Sequence, residues 1–264
     1  MPFRLAHMLL ASGLTASFLV AGISAYRFIR GDNCPSVMAA MKTAVYVAAV
    51  LIPLQIYAGD AHGLNTLEYQ PAKIAAMEGI WETEREAPLL LFAIPNKETK
   101  SNDYEVKIPK LGSLILTHSW DGEIKGLNEF GDKHPPVLPI FFSFRIMVAV
   151  GMLMLFTAWI GAWQIWHKGE PSKWLGYVFT VMTFSGWVAT LSGWYTTEIG
   201  RQPYLVYNVL STMEAAATNV SNGMLVSTLI MYLTLYVVLI IAFISVVFYL
   251  ARMAGDKAKT IATN

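Results

Sequence analysis

The chain has 264 residues, 55% of them apolar and 14% charged, where an ordinary soluble domain carries about 25% charged residues. A net charge of +1 offers no electrostatic footprint for nucleic acid or an acidic polymer, so no nucleic-acid partner is expected. Cys34 is the only cysteine, which excludes an internal disulfide and a cysteine-built zinc site.

The length corresponds to one domain, and its class is set by five apolar runs of about 20 residues, each long enough to span a bilayer. The first runs from Leu5 to Tyr26. Arg27 and Arg30 follow it and no small-residue cleavage site ends it, which argues against a signal peptide. The second, Val37 to Tyr57, is interrupted by Pro53. The third extends from Pro139 to Trp163, the fourth from Trp174 to Tyr195 and the fifth from Met224 to Leu250. Pro2 and Pro139 sit near helix starts, where a missing N–H does no harm. The expected fold is an all-α integral membrane protein with about five transmembrane helices and one long loop between the second and third.

Lys and Arg in the connections set the orientation. Arg27, Arg30 and Lys42 are assigned between runs one and two, Lys168 and Lys173 between three and four, and Arg252, Lys257 and Lys259 after run five. Alternating helices bring all three groups to one side, the cytoplasmic one. The N-terminus, the Gly59–Lys133 loop and the Glu198–Asn222 loop are then external, and the C-terminus cytoplasmic.

That 59–133 loop is polar and mixed in charge. Gly59 to Gly63 reads as a turn. Gln70 to Glu84 reads as a short amphipathic helix whose apolar residues are Ala75, Ala76, Met77, Ile80 and Trp81. Lys73 and Glu78 are five apart, about 140° around a helix, so they need not pair, and each taken alone reads as a solvated charge. No glycine-rich phosphate loop, nucleophile triad spacing or internal repeat is present.

The close of run four carries the densest chemistry. Gly200 reads as a C′ residue and Pro203 as a stop. Glu198 then lies in the last helical turn, where an acid faces the negative end of the dipole at a cost of roughly 0.3–1 kcal/mol. Arg201 or a bound metal cation would offset it. Trp194, one turn earlier, shares the face of Glu198. His7 opens run one at the same outer end, and Arg145 and Met147 lie in the first outer turns of run three. An imidazole, a thioether and a carboxylate thus reach one depth, and polar residues there are functional candidates. Each also has a duller reading: an interfacial histidine, a methionine used as filler and a local ion pair. Ala11 and Gly151 lie one turn from His7 and Met147, and Gly186, Ala189 and Gly193 form a flat strip on run four. That leaves room for a planar macrocycle, or for close helix packing. His with Met is an axial pair that raises the potential of a haem iron.

Several motifs together resemble subunit I of cytochrome bd quinol oxidase: Gly59-Asp60-Ala61-His62-Gly63-Leu64-Asn65-Thr66-Leu67-Glu68, Gln70-Pro71-Ala72-Lys73-Ile74-Ala75-Ala76-Met77-Glu78 with Trp81-Glu82-Thr83, Phe144-Arg145-Ile146-Met147, and Glu198-Ile199-Gly200-Arg201-Gln202-Pro203. The resemblance covers nearly the whole chain but only the later part of the family's subunit. It implies that His7 and Met147 are the axial ligands of a low-spin b-type haem and that Glu198 ligates a high-spin b-type haem. Trp194 stands near that haem, and Arg145 and Arg201 stand near the haems and their propionates. Lys73 and Glu78 serve quinol oxidation, so the loop resembles the quinol-binding loop.

The implied activity is that of a ubiquinol or menaquinol terminal oxidase in the bacterial inner membrane, passing electrons from quinol through haems to oxygen. Its implied partners are quinol, oxygen, membrane lipid, subunit II, a small subunit and the missing N-terminal half of subunit I. The family's first four helices are absent, and with them the histidine of haem d and the acids of the proton path, so haem d is expected only in the complete subunit. Tyr204 stands where the family has Trp. A transporter using buried charges as a substrate path, and a truncated, non-catalytic membrane subunit, are the alternatives.

Overall fold

The computed structural model describes residues 2–32, 34–216 and 219–263, apart from the side chains of 256–263. The chain opens with α1 (Pro2–Ile29) and α2 (Pro35–Tyr69). A folded segment follows, with α3 (Pro71–Glu78), β1 (Glu84–Arg85), β2 (Leu89–Asn96), β3 (Ser101–Ile108), α4 (Leu111–Thr117) and β4 (Glu123–Ile124). Then come α5 (Val137–Lys168), α6 (Lys173–Val181) and α7 (Ser185–Ile199), followed by β5 (Tyr204–Val206), β6 (Leu210–Ser211) and α8 (Asn222–Thr263). Among the described residues five helical stretches are long and apolar enough to cross a membrane: α1, α2, α5, the joined α6–α7 and Asn222–Gly255 of α8. The five expected runs are all present. The side chains of Lys257 and Lys259, used for the orientation, lie outside the described residues, and Lys42 lies within α2 rather than in a connection.

Two details of the second run are corrected. Pro53 does not interrupt α2, and Gly59 to Gly63 is helix, not turn. Proline lacks the N–H that would bond the carbonyl four residues back. That carbonyl belongs to Ala49, and Trp159 Nε1 of α5 donates to it at 3.1 Å. A neighbouring helix thus satisfies the group that the proline releases, as membrane interiors require. At the far end of α2, Asp60 is taken up by His118 Nε2 at 3.2 Å, so polar residues that look like an exit from the helix stay within it.

The spans pack around small and aromatic side chains. Leu14, Phe18, Ala21 and Ala25 recur at helical spacing on the buried face of α1. They meet Met41 and Val45 of α2, Met154 and Ala158 of α5, and Leu175 and Phe179 of α6. The rings of Phe18 and Phe179 are 6.2 Å apart. Both α1 and α5 pack against α2 and α7, so these four helices form one bundle. By contrast α8 has no buried residue in its most apolar stretch and touches α1 through Tyr26 and Phe248, edge-on at 5.1 Å. A helix apolar all round and unburied is dressed for lipid or for other membrane chains.

The structure is mostly helical but not all-α. Among the described residues, three two-stranded antiparallel sheets are present: β1 with β4, β2 with β3, and β5 with β6. The longest is the β2–β3 hairpin, paired from Leu89 opposite Ile108 to Asn96 opposite Ser101 with register shifts between Leu90 and Ile94. The segment between α2 and α5 has its own core, in which Ile74, Ala75, Ala76, Ile80 and Trp81 pack with Ala87, Leu116, Ile124 and Leu127 and with Val137 and Ile140 of α5. The expected amphipathic helix ends at Glu78 rather than Glu84, and it is not amphipathic: every residue from Ala72 to Glu78 is buried, Lys73 and Glu78 included. The solvated-charge reading of those two residues is therefore wrong.

Candidate functional site

The expected site residues gather where α1 begins, α5 begins and α7 ends, under the folded segment. The helix-end chemistry differs from expectation in one respect. Gly200 does close α7, but with φ −68° and ψ −8°, a right-handed conformation open to any residue. Its reason is crowding: a Cβ there would lie 2.7 Å from Lys73 Cε and 2.4 Å from the Thr196 carbonyl oxygen.

Lys73 is 7% exposed, and its Nζ donates to the Thr197 carbonyl oxygen at 3.4 Å. That carbonyl belongs to the last turn of α7, the negative end of the helix dipole. Burial and the positive charge of Arg4 lower the Lys73 pKa to about 8, with Glu198 opposing and Arg201 adding to the shift. Glu198 and Arg201 form the local ion pair, the duller of the two readings of that spacing, and Arg201 Nε is buried without a partner. Among the described residues no three His, Cys, Asp or Glu side chains converge as a bare metal ion needs.

Glu78 turns to a different partner. Arg145 Nη2 donates to Glu78 Oε2 at 2.7 Å, its Nε to the Leu90 carbonyl at 2.6 Å and its Nη1 to the Met77 carbonyl at 3.3 Å. The guanidinium lies over the ring of Phe141, 4.5 Å from its centroid. Glu78 is buried and Arg145 largely so, with side chains 6% and 14% exposed. Arg145 thus clamps α3 and β2 onto α5.

Met147 lies one turn deeper on α5 than Ser143, whose hydroxyl meets Thr196 Oγ1 of α7 at 2.9 Å. That buried bond sets the register of two antiparallel helices and brings Met147 Sδ to Gly193, where a Cβ would lie at 2.8 Å. Trp194, the next residue, is 56% exposed and packs on Tyr195 with rings 5.5 Å apart.

His7 faces α2. Its Nε2 lies 3.1 Å from Gln55 Nε2, and the His62 ring is 5.8 Å away and tilted by 58°. Gly59 lies alongside, with a Cβ position 3.3 Å from His7 Cε1. His7 Nδ1 and Gln55 Oε1 are both buried with no hydrogen-bond partner. Gln55, Gly59 and His62 follow one another at four and three residues, a single stripe on α2. Reading Gly59 as a turn broke this stripe, so the sequence reading passed over Gln55 and His62. Thr196 and Ser143 were also missed, and nothing local distinguishes them from other small polar residues in apolar helices.

The residues present suit a haem. An imidazole with one unpartnered buried nitrogen stands on α1 and a thioether on α5, two helices that both pack on α2 and α7. Lys73, Arg145 and Arg201 bring positive charge to the same end, as anionic propionates require.

Residues 1–254 match the family described as cytochrome bd terminal oxidase subunit I. Among similar proteins, the cytochrome bd ubiquinol oxidase subunit 1 of Bacillus subtilis (strain 168) is 30% identical over 245 residues, covering 88% of this chain and 52% of the relative. The cytochrome bd-II ubiquinol oxidase subunit 1 of Escherichia coli (strain K12) is 25% identical over 327 residues, covering 97% of this chain and 63% of the relative. The solved structure of bd oxidase from Geobacillus thermodenitrificans superposes with a TM-score of 0.86 at 29% identity, over 96% of this chain and 58% of that one. The chain spans a little over half the length of these relatives.

Proposed function

The chain belongs to the cytochrome bd terminal oxidase subunit I family, and from that premise and the geometry above we propose that it is the part of a quinol oxidase that takes electrons from quinol and holds two b-type haems. In this reading residues 1–264 form one membrane domain, set in the bacterial inner membrane. Its N-terminus and the 59–133 segment are external, its C-terminus is cytoplasmic, and the segment receives ubiquinol or menaquinol. His7 and Met147 hold the low-spin haem and Glu198 the high-spin haem. Trp194 stands beside the latter, and Arg145 and Arg201 answer the propionates. The N-terminal half of the subunit, subunit II and a small subunit complete the complex, and the half not present here holds haem d, where oxygen is reduced.

When bound, the haems supply one-electron acceptors for a two-electron donor. The protons are left to this chain. Each quinol loses two protons with its two electrons. Glu78 has one carboxylate oxygen committed to Arg145, and the other is the acceptor assigned to a quinol hydroxyl proton. Lys73, at a pKa of about 8, is in part neutral near physiological pH and takes or returns a proton at Nζ. The folded segment over α5 excludes water from both.

The observation that carries this reading is the bond from Lys73, in the quinol-loop motif, to the turn of α7 that bears Glu198. Reduced-minus-oxidised spectra of membranes containing the assembled oxidase test it. The low-spin b signal disappears in His7→Ala and in Met147→Ala, and its survival in both variants would overturn the assignment.

A further inference from the structure

We propose that Gln55 is the positioning residue of the low-spin haem site, its side-chain amide holding one nitrogen of the His7 imidazole so that the other is left for iron. This rests on the reading of His7 as an axial ligand.

A glutamine in an apolar span needs a reason to be there. A buried amide group without a partner costs about 1–3 kcal/mol, and α2 has no water to offer it. In the structure the Gln55 amide meets His7 Nε2 at 3.1 Å, yet Gln55 Oε1 and His7 Nδ1 are left without partners. Oxygen and nitrogen of a glutamine amide exchange by a half turn, and geometry alone does not tell them apart. Turned so, the oxygen accepts from the protonated ring nitrogen, and the amide NH2 takes the place where the oxygen had no partner. The second unpartnered atom, His7 Nδ1, is then an imidazole nitrogen carrying a lone pair, buried, with no donor facing it. A metal is the partner such a nitrogen lacks, and ligating histidines characteristically give their other N–H to a protein acceptor that fixes tautomer and ring orientation.

The surroundings hold Gln55 in place. Pro53, two residues earlier, frees the Ala49 carbonyl that Trp159 of α5 takes at 3.1 Å, pinning this turn of α2 to the helix that carries Met147. Gly59, one turn on, lets the His7 ring lie against α2. His62 stands across the ring, tilted and 5.8 Å away, and offers no competing hydrogen bond to it among the described contacts.

An acceptor on the far N–H gives imidazole more anionic character and favours ferric iron. Spectroelectrochemical titration of the low-spin b signal in the assembled oxidase reads this directly. Gln55→Leu, which removes the acceptor, keeps the signal and moves its midpoint potential upward. Gln55→Glu, a stronger acceptor, moves it downward. If both variants keep the wild-type midpoint while His7→Ala abolishes the signal, the ligand assignment stands and the role of Gln55 is overturned. Loss of the signal from both variants would make Gln55 a packing residue and overturn it equally. A signal that survives His7→Ala removes the reading on which the inference rests.

Discussion

Lys73 Nζ and the carbonyl oxygen of Thr197 lie 3.4 Å apart although 124 residues separate them in the chain. This contact joins the folded segment over the bundle to the carboxyl-terminal turn of α7, next to Glu198. An ammonium group at that place meets the exposed carbonyls of a helix end, the one backbone feature that favours positive charge. Replacing Lys73 by Met keeps the stem and removes the charge. We expect quinol oxidation to fall by about 10²-fold, the usual scale of a lost proton-transfer group, with both b-haem signals retained. Steady-state oxygen uptake with added quinol, alongside difference spectra, checks both halves of the expectation.

The same lysine makes a pH prediction. Its pKa falls from the usual 10.5 to about 8 on folding, through burial first and Arg4 second. Between those values the unfolded chain binds the proton and the folded chain does not, so stability rises with pH across that window. Below pH 8 both forms are protonated and the cost of burying the charge is fully present. Thermal unfolding of the detergent-solubilised protein is expected to shift upward from about pH 7 to about pH 10, by less in Lys73→Met than in the unaltered chain. An equal shift in both would assign the effect to other groups.

Gly200 is the counterpart of that burial. Its backbone is ordinary, but a methyl group would collide with the Lys73 stem. Gly200→Ala is expected to cost about 1–3 kcal/mol, the range for overpacking a filled site, and to slow quinol oxidation together with it. Gly169, which has φ +77° and open space around it, makes a contrast: alanine there is strained by the backbone alone and leaves turnover unchanged. Comparing the two variants by turnover and by melting temperature separates crowding at the site from backbone strain away from it.

The spans were legible because about 20 consecutive apolar residues have few other uses. The Glu198–Arg201 pair was legible because three residues on a helix is a local relationship. What was missed depends on distant partners. Asp60 and His62 look like the polar end of a span, yet in the structure they contact His118 and His7 and α2 runs on to Tyr69. Lys73 and Glu78 look solvated until the segment closes over them. Arg145 and Glu78 are 67 residues apart, so no window of sequence shows them together. The β2–β3 hairpin is hidden because Pro95 within it and Pro109 just after it argue against a strand. Pro95 lies inside β2 near the turn, opposite Asn102, in a two-stranded hairpin where proline is tolerated.

Arg145 and Glu78 form a largely buried ion pair that ties the segment to α5, and breaking it from either side leaves a charge stranded among Phe141, Met77 and Leu90. Removing one partner of a buried pair costs about 3–5 kcal/mol, whereas removing both with apolar replacements of similar size is close to neutral. Arg145→Met and Glu78→Leu are each expected to loosen the segment, opening the chain around the buried Leu90 and Ala93 of β2 to protease. The double variant recovers protection but not quinol oxidation, because the carboxylate that accepts the proton is gone. Limited proteolysis of the three variants beside oxygen uptake decides it. A double variant as protease-sensitive as the singles would mean that Arg145 holds the segment mainly through its bonds to the Leu90 and Met77 carbonyls, and that Glu78 contributes to the chemistry more than to the clamp.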